Sequence, residues 1–249
     1  MKKALFFSLS VVTVCGVFAL VTLMATCTSS GSTADRGTGV EYNGTSSETT
    51  TVFMTTDISP EGLMAVYEAL ETQPTGKVAV KLSIGEPPNS NYLRPELIKD
   101  LVQLLNGTIV ESNTLYNGRR TSGAMHMEVA RQHGYTAIAP VDIQDADGQI
   151  SLPVIGGTHI TENFVGKTFS DYDYYVVLSH FKGHAIAGFG GAIKNISIGI
   201  ASRDGKSWIH SGGVPGRTSS SPGGQNAFLE SMGEAGKSVV ESLNNNRLV

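Results

Sequence analysis

The chain has 249 residues, enough for one large domain or two small ones, and its 40% hydrophobic content excludes disorder over the whole length. With 18 basic and 22 acidic residues, the formal net charge of −4 argues against nucleic-acid binding, because neutralising phosphates requires a basic surface. Both cysteines, Cys15 and Cys27, lie near the N-terminus, so the rest of the chain offers no thiolate for a disulfide, a zinc site or an iron–sulfur cluster.

Residues 1–27 have the pattern of an export signal. Lys2 and Lys3 precede an apolar run, residues 4–26, of about the length that spans a bilayer. A cleaved signal peptide, an uncleaved signal anchor and a lipoprotein leader all fit this pattern. The segment 23–27 is similar to a bacterial lipobox, which would make Cys27 the lipidated residue. We expect a protein of the cell envelope, held to a membrane by the anchor or the lipid and facing outside the cytoplasm.

Residues 28–50 are rich in Ser, Thr and Gly and indicate a flexible linker, so the folded domain is expected over residues 51–249. Within it, predicted strands alternate with predicted helices, which indicates an α/β fold with a mostly parallel sheet flanked by helices. The pattern predicts helices over residues 60–70, 95–105, 122–133 and 228–243, and strands over 78–84, 108–111, 135–141 and 174–178. Short strands and turns are expected over 143–170. The strand 174–178 is almost wholly apolar and is therefore expected at the centre of the sheet.

The residues with the clearest chemical potential follow that last strand, because ligands of open α/β sheets bind beyond the carboxyl ends of the strands. Three glycines, Gly188, Gly190 and Gly191, precede Lys194, so backbone N–H groups and an ammonium group could meet an anion there. The spacing fits neither a Walker A loop nor the dinucleotide-binding fingerprint. A glycine-rich turn that serves only packing is the alternative.

Histidines accompany this loop. His184 precedes it, His210 follows it, and His126 lies upstream on a predicted helix. Each could act as an acid, a base or a metal ligand near neutral pH. Arg119 and Arg120 could clamp an anionic group, or could equally form a solvated pair at the surface.

The chain resembles the uncharacterised bacterial and archaeal family known as domain of unknown function 362. The resemblance lies in residues 77–81, 92–96, 111–116 and 225–240, and most specifically in the loop from Leu178 to Gly199. Many members carry a ferredoxin-like cysteine insert that holds an iron–sulfur cluster. This chain lacks those cysteines, so no cluster is implied here. Longer members continue beyond the matched pattern, and we therefore expect a short or C-terminally truncated member.

The same loop is more distantly similar to that of nickel-pincer racemases and epimerases. His184 lies ten residues before Lys194, and His210 lies sixteen after it, as in that family's pattern. The resemblance implies that Lys194 carries a covalent nickel–nucleotide cofactor, that His210 ligates the nickel, and that His184 and His126 exchange protons with a 2-hydroxy acid. Arg94 matches an early Arg-Pro of that family and is implied at the cofactor.

Three functions remain open from the sequence. The first is binding of a small anionic ligand, or of a phosphate-bearing or metal cofactor, at the Gly-rich His/Lys loop, with racemase- or epimerase-like chemistry. The second is a non-catalytic binding module or inactive paralogue that keeps the fold. The third is a subunit that presents a sheet edge to a protein partner.

Overall fold

The computed structural model describes residues 51–218, 220–244 and 247–249. The leader, Cys27 and the linker expected over residues 1–50 lie outside the described residues. Within the described part of the chain, no helix combines the length and the apolar character needed to cross a membrane.

A four-stranded parallel sheet forms the centre of the fold, and its strands run in the order β3–β2–β1–β6. The strands are β1 (Val78–Lys81), β2 (Thr108–Glu111), β3 (Val141–Ile143), β4 (Gln149–Pro153), β5 (Glu162–Gly166), β6 (Tyr174–Val177), β7 (Lys182–His184) and β8 (Gly188–Gly190). The helices are α1 (Pro60–Ala69), α2 (Pro95–Leu104), α3 (Gly123–Gln132), α4 (Ala192–Ile196), α5 (Arg203–His210) and α6 (Gly224–Ser242). Two antiparallel hairpins, β4–β5 and β7–β8, complete the pattern.

Helices cover both faces of the sheet, because successive strand residues point to opposite sides. Val80 and Val176 face a core built with α1, α2 and α3. Their neighbours Ala79 and Tyr175 face a second core, built with α4 and α6. The α/β fold with a parallel sheet flanked by helices is therefore confirmed.

Local sequence signals set the ends of several elements. Ser59 precedes Pro60, and its hydroxyl accepts a hydrogen bond from the Gly62 N–H at the start of α1. Ser202 caps α5 in the same way, through the N–H of Gly205. Helix α3 ends before Gly134, whose positive φ of 86° is the left-handed conformation that terminates a helix.

The predicted strand over residues 135–141 is wrong. Tyr135–Ala137 forms a turn of 3₁₀ helix, and the strand β3 begins only after Pro140. Proline has no N–H to donate to a ladder, although its carbonyl still accepts a hydrogen bond from the Ile109 N–H. The Tyr135 side chain is fully buried in the core and donates to the Leu93 carbonyl, so the apolar residues of this segment indicate a packed turn and not a strand.

The central position expected for the strand over residues 174–178 is also wrong, because β6 is the outermost strand of the four. Residues 247–249 cover its outer edge, with Val177 N–H donating to the Val249 carbonyl at 2.6 Å. Both faces of β6 are also buried. The apolar run therefore indicates that β6 is covered by helices and by residues 247–249. It does not indicate the position of β6 in the sheet.

Candidate functional site

The hairpin β7–β8 brings Lys194 and His184 into direct contact. His184 ends β7, and Lys194 lies in α4, the short helix that follows β8. The amine Nζ of Lys194 is 3.1 Å from His184 Nε2. This is the spatial pairing that the sequence pattern could only suggest.

The second ring nitrogen of His184 decides how this contact is made. The backbone N–H of Ala187 donates to His184 Nδ1 at 3.1 Å, so Nδ1 carries no proton. A neutral imidazole has one N–H, which must then be on Nε2 and point at the Lys194 amine. An ammonium group there would place two donors against each other. The contact is therefore made by a neutral Lys194 amine that accepts a hydrogen bond from His184.

The electrostatic surroundings favour that neutral amine. Burial lowers the pKa of Lys194, and the positive charge of Lys182 lowers it further. Burial likewise lowers the pKa of His184, with Lys194, Lys182 and His210 adding to the effect. Every charged group that contributes to these two pKa values is a cation. No negative charge acts on the pair from the described residues, and an anionic ligand would supply one.

His210 lies within electrostatic range of the pair and has one ring nitrogen available. Its Nδ1 donates to the Lys206 carbonyl one turn earlier in α5, at 2.6 Å, and its ring stacks on Phe228 with the centroids 4.6 Å apart. Burial lowers its pKa, the Lys206 carbonyl opposes this, and Lys194 adds to the lowering. Among the described residues, none hydrogen-bonds to its Nε2, which keeps a lone pair for a proton or a metal ion.

The glycines of the hairpin have different reasons to be glycine. Gly188 has a positive φ of 73°, and a Cβ added there would meet nothing within 4 Å. A Cβ on Gly190 would lie 3.4 Å from Cδ of Lys194, and one on Gly191 the same distance from a Phe181 ring carbon. Gly188 therefore serves the turn and leaves open space beside the backbone, whereas Gly190 lets the stem of Lys194 lie close.

Arg94 is not brought to this loop by any described contact. It is exposed at the start of α2, and its guanidinium lies over the Tyr92 ring at 4.6 Å from the centroid. Tyr92 in turn stacks on His133.

A second group of charged residues occupies the carboxyl ends of β1 and β2, and Arg120 is the one member that the sequence had singled out, as a possible clamp for an anionic group. Lys81 Nζ lies 3.0 Å from Glu111 Oε2, and Arg120 Nη1 lies 3.2 Å from Glu111 Oε1. Arg120 also pairs with Glu86 at 3.0 Å. We call Lys81, Glu111 and Arg120 the buried triad. For Lys81 and Glu111 the only sequence signal was a charged residue at the end of each of two apolar strands.

The buried triad is electrostatically satisfied. Burial alone would raise the pKa of Glu111, but Lys81, His126 and Arg120 lower it to about 2. The Ile84 N–H also donates to Glu111, at 3.1 Å. For Arg120 the expectation of a solvated surface pair is wrong, because the side chain is buried, while Arg119 is exposed and donates to Gln132.

His126 lies beside the buried triad. It is fully buried on α3, with Nδ1 at 3.4 Å from the Asn113 side-chain oxygen. Burial lowers its pKa to about 4, with Glu111 opposing the effect and Arg120 adding to it. Its Nε2 has no hydrogen-bond partner among the described residues. The groups that influence His126 belong to the triad and to Lys206, not to the Lys194–His184 pair.

Lys206 acts electrostatically on two regions, His126 beside the buried triad and His210 near the Lys194–His184 pair. Its side chain is buried, Nζ donates to the Ala201 carbonyl, and burial lowers its pKa to about 7 against the opposing charges of Asp145 and Glu111. The charge of Lys206 acts on both His126 and His210.

Protein side chains alone do not build a metal site in the described part of the chain. No group of three or more His, Cys, Asp or Glu residues is arranged there to hold a metal ion. A metal bound at His210 would therefore need most of its ligands from a cofactor.

Comparison with known proteins finds similar solved structures and a matching family. The chain is similar to the lactate racemase apoprotein from Thermoanaerobacterium thermosaccharolyticum, with 18% sequence identity and a TM-score of 0.45. The similarity covers 73% of this chain and 47% of that one, so this chain spans about half of the racemase. The search of curated proteins finds no significant match. The family described as Domain of unknown function (DUF362) matches residues 78–245, and because this is more than half of the sequence, the chain belongs to that family.

Proposed function

We propose that this domain binds a phosphate-bearing, electrophilic cofactor or ligand at the glycine hairpin and holds it covalently on Lys194. The observation that carries the proposal is the chain of hydrogen bonds from Ala187 N–H to His184 and from His184 to the Lys194 amine. It favours the neutral amine, the protonation state in which a lysine becomes a nucleophile once its lone pair turns from His184 Nε2 to a ligand.

The residues around the amine suit an anionic partner. Lys182, Lys194, His184 and His210 contribute positive charge or N–H groups, and no acidic residue shifts the pKa of either Lys194 or His184. Open space beside Gly183 and Gly188 leaves the backbone accessible to a phosphate group. A phosphate would supply a negative charge beside Lys182 while the amine adds to a carbonyl carbon of the ligand, whose oxygen leaves as water to give an imine.

A nickel-pincer nucleotide, implied by the sequence resemblance, is the finer form of this proposal, and the donor set fits it in three respects. Lys194 offers an amine, His210 offers a ring nitrogen, and within residues 51–218, 220–244 and 247–249 no group of three or more His, Cys, Asp or Glu residues could hold a metal without a cofactor. When bound, such a cofactor would accept and return a hydride. Lys194 would anchor it, His210 would ligate its metal, and His184 would move a proton at Nε2. For His126 to act as a second acid or base, a ligand would have to reach its fully buried Nε2.

Reactivity of the amine tests the covalent step. Pyridoxal 5′-phosphate forms an imine with a neutral lysine amine, releasing the aldehyde oxygen as water, and borohydride then fixes the bond. Peptide mass analysis at pH 8 would compare Lys194 with Lys99, an exposed lysine of α2. We expect Lys194 to react faster than Lys99, since a lowered pKa leaves a larger neutral fraction of the amine at a given pH. Equal rates would contradict the proposal.

The native ligand requires protein from its own organism. The mass of the peptide containing Lys194 and the metal content would be measured on the same sample. A nucleotide-sized adduct with stoichiometric nickel supports the pincer form, whereas a different phosphate-bearing adduct supports the broader proposal alone. An unmodified, unreactive Lys194 would favour the non-catalytic binding module, for which the uncompensated cations of the hairpin suffice.

A further inference from the structure

A cavity of about 660 Å³ adjoins the candidate site at His210. It lies between the outer face of α5 and the turn formed by residues 215–218, and its size is in the range of small-molecule pockets. His210 borders the cavity and is also within electrostatic range of Lys194. The cavity therefore opens directly beside the group that the proposed function places at the reaction.

The walls of the cavity are apolar and aromatic. Phe164 and Trp208 meet edge to face, with ring centroids 6.3 Å apart, and Leu115 lies against the same space. Such walls accept a flat apolar group. The glycine of α5 makes this geometry possible, because a Cβ on Gly205 would lie 2.0 Å from the Phe164 carbonyl oxygen and would push α5 away from β5.

Two opposite charges complete the lining. Asp204 lies in the first turn of α5, and Arg217 lies in the turn across the cavity. Among the described residues, neither forms an ion pair with another side chain. Arg217 is partly buried and packs over the backbone of Gly212, where Nη1 would be 3.1 Å from an added Cβ. The cavity thus presents a carboxylate and a guanidinium that face the same space without neutralising each other.

We propose that this cavity binds a zwitterionic α-amino acid with an aromatic side chain. Arg217 would bind its carboxylate, Asp204 its ammonium group, and the Phe164–Trp208 wall its ring. The inference rests on the proposed function in one respect: it makes such an amino acid the substrate class brought to His210. The binding site itself stands on the cavity, its aromatic wall and its two uncompensated charges.

The chain contains a single tryptophan, Trp208, so its fluorescence reports occupancy of this cavity without labelling. The full chain would be titrated with L-phenylalanine, with 3-phenylpropionate, which lacks the ammonium group, and with 2-phenylethylamine, which lacks the carboxylate. We expect saturable binding of phenylalanine and at least about tenfold weaker binding of each of the other two, because each loses one charged hydrogen bond.

Two variants identify which side chain binds which end. Arg217→Gln should weaken phenylalanine and 3-phenylpropionate but leave 2-phenylethylamine unchanged, and Asp204→Asn should give the reverse. Arg131→Gln, an exposed arginine of α3, is the control that should change none of the three affinities. Absence of saturable binding by all three probes would overturn the inference. So would phenylpropionate binding as tightly as phenylalanine, since that would indicate a simple anion site.

The outcome separates the two proposals. If phenylalanine binds as expected while Lys194 reacts no faster than Lys99, the amino-acid site stands and the covalent function fails. If Lys194 is reactive and none of the three probes binds, the covalent function stands and this inference fails.

Discussion

The buried triad and the glycine hairpin both concentrate positive charge at the carboxyl edge of the sheet, but they compensate it differently. In the triad, Glu111 accepts hydrogen bonds from Lys81 and Arg120 and remains ionised down to a pKa of about 2. In the hairpin, Lys194 and His184 contact each other, and only cations influence them. The first region is complete within the protein, whereas the second lacks the negative charge that a ligand would supply.

The charges of the buried triad are paired within the protein and stabilise the fold, whereas the residues of the hairpin would, under the proposed function, bind an anionic ligand. A buried charge with its counter-ion in place contributes to a unique packing, and removing one member leaves the others uncompensated. A cluster of like charges disfavours its own ionisation and gains from an anion. The contrast yields four expectations, which run from the largest effect on stability to the smallest.

Glu111→Gln should have the largest effect. It removes the only carboxylate that contacts both Lys81 and Arg120, and leaves their charges buried with Glu86 as the remaining partner of Arg120. We expect a loss of about 3–5 kcal/mol in the free energy of unfolding, measured from the urea midpoint. Glu128→Gln is the control, because that carboxylate pairs with Arg131 at the surface and should matter far less. Similar losses in both variants would mean that the triad does not stabilise the fold.

His126 should make stability depend on pH. Its pKa is about 4 in the folded chain, against 6.5 for an ordinary histidine. Below pH 6.5 the unfolded chain therefore takes up a proton that the folded chain excludes, and stability falls until about pH 4, by roughly 3 kcal/mol in total. Glu111, with its depressed pKa, adds a further loss only below about pH 4.5.

The measurement is the free energy of unfolding against pH for the parent chain and for His126→Gln. The difference between the two curves isolates His126 from the other histidines. It should be steep between pH 6.5 and 4 and flat above pH 7. A difference that does not vary with pH would mean that the folded chain binds a proton at His126 as readily as the unfolded chain does. His133→Gln is the control and should retain the steep region, because it leaves His126 in place.

Lys194→Met should cost little, in contrast to a change in the triad. The substitution removes an amine that lacks an acidic partner among the groups acting on it and keeps an apolar stem of similar length. We expect a change of less than about 1 kcal/mol, whereas Lys81→Met should approach the loss seen for Glu111→Gln. A loss of several kcal/mol for Lys194→Met would show that Lys194 holds the fold, and would remove it from the candidate site.

The sequence predicted the layered part of the fold because strands buried on both faces are continuous apolar runs, whereas the helices that cover them repeat apolar residues every three or four positions. Helices α1, α2, α3 and α6 and strands β1, β2 and β6 follow that signal closely. The apolar pattern did not predict the short helices α4 and α5 or the hairpin β7–β8. Their sequences are rich in glycine and charge, and their conformations depend on contacts such as that of Gly205 with Phe164.

The candidate site was predicted in part. The spacing of His184, Lys194 and His210 predicted a site at these residues, and the structure joins the first two by a hydrogen bond, while their roles stay predictions. The sequence could not place His126, because its position depends on how α3 packs against the ends of β1 and β2. Nor did it indicate the triad or the cavity beside Trp208, whose members come from segments distant along the chain.

The smallest informative change is to replace one hairpin glycine, Gly183 or Gly190, by alanine and to ask whether Lys194 is affected. Neither Gly183 nor Gly190 has a positive φ, so alanine is compatible with both backbones. A Cβ on Gly190 would touch the stem of Lys194 at 3.4 Å, whereas one on Gly183 would meet nothing within 4 Å. Both Gly190→Ala and Gly183→Ala should leave the free energy of unfolding within about 0.5 kcal/mol of the parent value.

Only Gly190→Ala should slow the reaction of Lys194 with pyridoxal 5′-phosphate, by severalfold, because its methyl group restricts the approach of the amine. Since stability is unchanged in both variants, a difference in labelling cannot come from unfolding of the hairpin. If both variants label like the parent chain, Gly190 serves the turn and not the lysine. If Gly190→Ala slows the labelling of Lys194 while Lys194→Met leaves the stability of the fold unchanged, the two results together support the proposed role of the hairpin in ligand binding.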